Sequence, residues 1–299
     1  MTVAPKCISS EKAFLGLEKE DAVDYTAAKA VVVPFGLEAS VSYGGGTADG
    51  PRAMLEASHQ VELFDEDLWC EPYRDWGVVT LDTKANNEST IPEELDVLEN
   101  IIKNLLEDGK FPLTFGGEHS LTAGAIRPFA EKYDDLLVLH FDAHADLRDG
   151  YEGEHFSHAS ALRRVLDFDG VSLVSFGIRN ISAGEIPFLE ANTDRIKIYW
   201  AKDKAQWDHA AIVKHFKNRT IYLSFDLDGF DGSVMPATGT PEPGGLFWDD
   251  VIPIIKAAAK EGTIVGADVV ELAPMEKYHA PDFLAAKLCY KILSYALNK

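Results

Sequence analysis

The sequence predicts an α/β fold, a parallel sheet held between two layers of helix. Three observations predict it. Eight short runs rich in Val, Ile, Leu and Phe recur along the chain, and most are continuously apolar rather than alternating. Strands covered on both faces read this way. Segments of helical character lie between these runs, and strand–helix units joined by right-handed crossovers build a parallel sheet. Finally, no repeat, low-complexity tract or Ser/Gly/Pro linker divides the 299 residues.

Residues 1–28 read as an irregular or partly helical arm, and 29–299 as one domain. The strand runs are 30–35 (AVVVPF), 77–81 (GVVTL), 112–115 (PLTF), 136–141 (LLVLHF), 171–176 (VSLVSF), 196–200 (IKIYW), 221–225 (IYLSF) and 264–270 (IVGADVV). Helices are predicted over 91–108, 120–132, 249–260 and 280–297. The first of these carries acids in its opening turns and Gly109 just past its end, as helix termini prefer. Ligands of such sheets bind outside the carboxyl ends of the strands, so the residues following each run are where chemistry is expected.

Composition narrows the partners. There are 49 Asp and Glu against 28 Lys and Arg, a formal charge of −21. Nucleic acid and anionic membranes call for a basic surface, so neither is expected as a partner. A negative field does concentrate cations. Cys7, Cys70 and Cys289 show no short spacing, so neither a disulfide framework nor a thiolate metal site is expected, and the cytoplasm is the expected compartment. The N-terminal residues lack the pattern of a signal peptide, and no apolar stretch approaches about 18 residues.

Four runs lead directly into residues of metal-ligand type. Run 112–115 is followed by Gly116-Gly117-Glu118-His119, run 136–141 by Asp142-Ala143-His144-Ala145-Asp146, run 221–225 by Asp226-Leu227-Asp228, and run 264–270 by Glu271. Residues i and i+2 of an extended chain share a side, about 7 Å apart, so Asp142, His144 and Asp146 can converge, as can Asp226 and Asp228. Glycine freedom at 116–117 would let His119 swing over its strand end. Four carboxylates and two imidazoles exceed what one zinc takes and suit two divalent metals about 3.5–4 Å apart. The carboxylate-rich set without thiolate favours Mn²⁺, with Fe²⁺ and Co²⁺ left open. His140 lies inside its strand and reads as a buried hydrogen-bonding residue. His59, His155, His209, His215 and His279 read as surface residues.

With these motifs the sequence resembles the ureohydrolases, the arginase/agmatinase family. The resemblance runs from about residue 30 to 295, through GGEHSL (116–121), HFDAHADLRD (140–149), SFDLDGFDGSVMPATGTPEPGG (224–245), DVVELAP (268–274) and an upstream GGGTADGPRAM (44–54). It implies a three-layer α/β/α fold with a mostly parallel eight-stranded sheet, a trimeric or hexameric homo-oligomer, and two Mn²⁺ ions per subunit. One ion would be held by His119, Asp142, Asp146 and Asp226, the other by Asp142, His144, Asp226 and Asp228. Segment 146–164 is most similar to the agmatinase branch. Glu118 stands where many members have Asp, and Gly232 where Pro is usual. The first bears on the orientation of His119, and the second is expected to loosen the loop 229–245.

The resemblance implies hydrolysis of the guanidinium of agmatine to urea and putrescine by a hydroxide bridging the metals. Glu271 would hold the guanidinium, Asp146 would carry the proton to the leaving amine, and His158 would shuttle protons at the mouth. Guanidinobutyrate, guanidinopropionate, arginine and formiminoglutamate remain alternative substrates. Arg148, Arg163, Arg164 and Arg179 are the cations that would meet a substrate carboxylate. A binding subunit without catalysis is disfavoured because every ligand position is filled.

Overall fold

The protein is described by a computed structural model covering residues 5–298; residues 1–4 of the expected arm lie outside it. Eight strands, β1 (Ala30–Phe35), β2 (Val78–Thr80), β3 (Phe111–Gly116), β4 (Leu136–Phe141), β5 (Val171–Phe176), β6 (Ile196–Tyr199), β7 (Thr220–Asp226) and β8 (Thr263–Val270), form one sheet. Their order is β2-β1-β3-β8-β7-β4-β5-β6. Every pairing between them is parallel, so the "mostly parallel" expectation sharpens to an all-parallel sheet.

Alternation along each strand feeds two separate cores. In β4, Leu137, Leu139 and Phe141 join the core formed with helices Gly50–Ser58, Trp248–Glu261 and Ala280–Leu297. Leu136 and Val138 join the core on the other face with helix Ile91–Glu107. Both faces are therefore dry, which is why the strands read as unbroken apolar runs. The segment expected as an arm wraps closely. Cys7 bridges antiparallel to Leu81, and Phe14, Leu15 and Leu17 are buried.

Helix Ile91–Glu107 starts where predicted. The Thr90 N–H donates to Glu93 at 3.0 Å, Pro92 sits in the first turn, and Gly109 exits with φ +69°. The single helix expected over 120–132 is broken instead. A short 3-10 turn (His119–Leu121) leads into Thr122–Ala125 and then Arg127–Lys132, with Pro128 in the first turn of the last piece. A proline interrupts the backbone ladder in a helix interior and is best accommodated in an opening turn. No helix among the described residues is long and apolar enough to cross a membrane.

Candidate metal centre

The four runs singled out by their polar endings, β3, β8, β7 and β4, are consecutive in the middle of the sheet. Their carboxyl ends therefore deliver His119, Glu271, Asp226 with Asp228, and Asp142 with His144 and Asp146 to one place. A cavity of about 340 Å³ opens above them. Of the predicted site residues only Asp142, fully buried beneath it, does not line that cavity.

Local turns, not extended spacing, bring these groups together. Asp146 has φ +51° and Glu271 has φ +66°, both in the left-handed region that non-glycine residues avoid. Such backbone is held only where its surroundings overdetermine it. The turn at Asp146 sends its carboxylate back to His119, whereas His144 pairs with Asp228. Asp226 accepts the Asp228 N–H at 2.8 Å and opens a 3-10 turn, so the two aspartates are not strand neighbours either. The expected glycine freedom at 116–117 is also replaced by another cause. Neither residue has positive φ. A Cβ on Gly117 would lie 2.0 Å from the Leu37 carbonyl oxygen, and one on Gly116 2.6 Å from Val270. Those glycines let β3 pass tightly against the chain leaving β1 and against β8.

Two donor groups result. The buried His119 Nδ1 has Asp146, Asp142 and Asp226 Oδ2 atoms at 3.0, 3.2 and 3.4 Å, yet it makes no hydrogen bond. An unbonded imidazole nitrogen ringed by carboxylate oxygens fits a divalent cation that takes nitrogen and oxygen donors. His144 Nδ1 lies 2.9 Å from Asp228 Oδ2 and 3.5 Å from Asp142 Oδ1. Asp142 thus offers one oxygen to each group. His140 also falls within 4.8 Å of His119 and Asp142, but both its nitrogens are engaged, with Asp142 at 2.9 Å and Ser175 at 3.0 Å. It is the buried hydrogen-bonding residue that the sequence suggested. These His and Asp groups can hold metal ions.

The electrostatics point the same way. Burial, then Asp228 and Asp142, push the Asp226 carboxyl well above its usual range. Burial alone would lower His119, but Asp142, Asp146 and Asp226 outweigh it and hold the imidazole well above its usual range. A buried site so rich in carboxylates demands cations, whether protons or metals.

Glu271 lies beside these groups. Its Oε1 accepts the His119 N–H at 2.7 Å, and among the described residues no protein group meets Oε2. His158, on a short turn (His158–Ser160), is tied in by Ser40. Ser40 Oγ donates to Glu118 at 2.8 Å, accepts the His158 N–H at 2.9 Å and lies 3.2 Å from His158 Nδ1. A hydroxyl has one proton to give. With that proton on Glu118, Nδ1 must be the donor and Nε2 is left as the basic nitrogen. The same buried Glu118 accepts the Ala39 and Ser40 N–H groups at 2.7 and 2.6 Å and the Ser120 hydroxyl at 2.5 Å. The departure from Asp thus serves a carboxylate long enough to reach the 39–40 loop.

Sequence reasoning missed the support behind His119. Its Nε2 meets Ser224 Oγ at 3.0 Å, and Ser224 donates to Asp268, which also accepts Tyr222 and Thr122 hydroxyls. Orienting groups of this kind set ligand geometry and basicity. Ser224 and Asp268 stood within the recognised motifs, at strand positions preceding Asp226 and Glu271. Ser40 carried no such signal. Of the surface histidines, His215 is instead half-buried, 3.0 Å from the Tyr199 hydroxyl. Gly232 has no crowding that requires glycine, and its loop is not loose. Asp231 accepts the N–H groups of Ser233, Gly244 and Gly245. Arg179 clamps the carbonyls of Gly177, Asp228, Gly229, Phe230 and Glu242.

The profile of the Arginase family matches residues 28–294. The chain belongs to the arginase family. It is 36% identical to the N(1)-aminopropylagmatine ureohydrolase of Synechocystis sp. over 97% of this chain and 95% of that one. It is 34% identical to the agmatinase of Bacillus anthracis, over 82% and 83%. The crystal structure of the agmatine ureohydrolase of Thermoplasma volcanium superposes with a TM-score of 0.83 at 28% identity, covering 97% and 95%. The protein is accordingly a ureohydrolase, a hydrolase of linear amidine C–N bonds, with the arginase-like fold and a small guanidino compound as substrate.

Proposed function

We propose that this ureohydrolase cleaves agmatine to putrescine and urea with two Mn²⁺ ions. His119, Asp142, Asp146 and Asp226 would hold one ion, and Asp142, His144, Asp226 and Asp228 the other. The observation that carries this reading is the division of Asp142, whose Oδ2 lies 3.2 Å from His119 Nδ1 and whose Oδ1 lies 3.5 Å from His144 Nδ1. When bound, two such ions supply Lewis acidity and lower the pKa of water at the site.

The chain's own residues do the rest. Glu271 Oε2 accepts N–H bonds from the guanidinium, a charge-assisted contact that fixes the carbon over the site. Asp146, buried beside His119, takes the proton of the attacking water and returns it to the leaving nitrogen. His158, with Nε2 as its basic nitrogen, passes protons between the cavity and solvent. Of the four arginines that would meet a carboxylate tail, only Arg148 lines the cavity. Arg179 is spent on carbonyls, Arg164 on Asp149 and Asp167, and Arg163 lies over the Phe188 ring. That favours an amine tail over an acid one. A second reading, N(1)-aminopropylagmatine as substrate, is favoured by the 36% identical relative. Residues 29–299 are read as one catalytic domain of a cytoplasmic homo-oligomer, trimeric or hexameric.

The test is urea release by Mn²⁺-loaded protein from agmatine, N(1)-aminopropylagmatine, arginine and 4-guanidinobutyrate, with bound metal measured in parallel. Agmatine as the preferred substrate with two metals bound supports the proposal. Preference for any of the other three overturns the agmatine assignment, and the absence of bound metal overturns the metal reading.

A further inference from the structure

The cavity has a chemically distinct rim that the ligands and Glu271 do not use. Two loops meet there. One carries the GGG segment at 44–46 and the other the GTPEPGG segment at 239–245. The Gly44 N–H donates to the Gly239 carbonyl at 3.3 Å. A Cβ on Gly44 would lie 2.9 Å from the Gly239 oxygen, and one on Gly239 would lie 3.0 Å from the Gly44 oxygen. Glycine at both positions lets the backbones come this close without displacement. This contact joins the two loops that carry Tyr43 and Glu242, and both residues line the cavity.

Both side chains are unspent. Tyr43 is 86% exposed, an unusual setting for an aromatic ring at the mouth of a site. Glu242 is half-buried, and Arg179 holds its main-chain carbonyl at 2.8 Å. The same guanidinium binds the carbonyl of Asp228, so Glu242 is anchored to the metal-ligand loop. Yet no cation or donor among the described residues reaches the Glu242 carboxylate. Arg148, the cation of this cavity, is held over the Tyr151 ring at 4.9 Å.

We infer that Tyr43 and Glu242 form a subsite for an alkylammonium group, reading the amine end of a guanidinoalkylamine whose guanidinium lies at Glu271. A carboxylate supplies the counter-charge, and an aromatic face attracts the same cation. This deepens the proposed function and rests on it, because it names the groups that separate an amine-tailed substrate from a neutral or acid-tailed one.

The test compares agmatine with pentylguanidine, which carries a methyl group where agmatine has its ammonium. 4-Guanidinobutyrate is the third substrate. Wild type is expected to prefer agmatine. In Glu242→Gln the ratio of kcat/KM for agmatine to that for pentylguanidine falls about tenfold, mainly through KM, as expected for a half-exposed charge-assisted contact. In Tyr43→Ala the ratio falls about threefold. An unchanged ratio in both variants, with wild type active on agmatine, overturns the subsite and leaves the hydrolase reading standing. A wild-type preference for 4-guanidinobutyrate that is lost in Arg148→Gln also overturns it. No urea from any of the three substrates, with metal bound, overturns the proposed function and the subsite with it.

Discussion

Glu118→Gln tests how the loop above the metal centre is coupled to His158. The carboxylate is fully buried and receives four donors, the Ala39 and Ser40 N–H groups and the hydroxyls of Ser40 and Ser120, at 2.5–2.8 Å. The amide keeps the shape and loses the charge. Its NH₂ group then faces donors only, so donors go unsatisfied at about 1–3 kcal/mol each, less what the loop recovers by shifting. A loss of about 3 kcal/mol is expected, which lowers Tm by roughly 5–10 °C in a chain of this size. The second effect is on the proton. Once Ser40 no longer gives its hydrogen to Glu118, it can give it to His158 Nδ1, which puts the ring proton on Nε2. The wrong tautomer costs part of the 10²–10⁴ that general acid–base catalysis supplies, about tenfold in kcat. Thermal melts, metal content and kcat against pH read these separately. His158→Ala, with metal retained and kcat reduced, is the reference. Ser40→Ala should reproduce the kcat loss of Glu118→Gln at unchanged metal content. If His158→Ala lowers kcat while Glu118→Gln and Ser40→Ala keep the wild-type profile, the coupling is refuted.

Four further outcomes are expected. In Mn²⁺-loaded protein Asp226→Asn should lose bound metal together with activity, read by elemental analysis after dialysis; retention of both metals would falsify its proposed assignment to both ions. Gly117→Ala, whose Cβ would lie 2.0 Å from the Leu37 oxygen, should cost at least about 2 kcal/mol and be read as a lower denaturant midpoint. Lys291→Ala strands the fully buried Asp65, 3.1 Å away, without its counter-charge and should destabilise by about 3–5 kcal/mol, whereas Lys291→Ala with Asp65→Ala should recover much of that. Asp67 is held down at about 2 by the Tyr295 hydroxyl and then Lys256. Its folded value is below its unfolded one, so its stabilisation is present above about pH 4 and is lost as pH falls toward 2. With that side chain one-third exposed, the effect is discounted to about 1 kcal/mol, and Asp67→Asn should remove it from the acid-unfolding curve.

Much of the centre was legible because strand ends have a simple grammar. All eight strands and the all-apolar character that marks a doubly covered sheet could be read from runs such as LLVLHF. The DAHAD and DLD endings supplied every carboxylate that faces the Nδ1 atoms of His119 and His144. What misled was the assumption that the chain stays extended past each strand. Asp146 and Glu271 turn left-handed instead, and Asp228 lies within a 3-10 turn. Such turns are set by what packs against them. The same holds for Gly116 and Gly117, which are glycine because of neighbours distant in sequence.

The sequence alone was enough for the fold class, for the family and for the His and Asp groups that can hold metal ions, because apolar periodicity and ligand-type residues are local properties. It could not show that β3, β8, β7 and β4 stand side by side, since their order follows from how crossovers bury both faces of the sheet. Nor could it show Ser224 and Asp268 behind His119, or the reach of Glu118 through Ser40 to His158. The Gly44–Gly239 contact that joins the loops carrying Tyr43 and Glu242 was equally out of sight. Each of these is a hydrogen bond or close approach between residues far apart in the chain, and only the packed backbone brings such partners within 3 Å or so of one another.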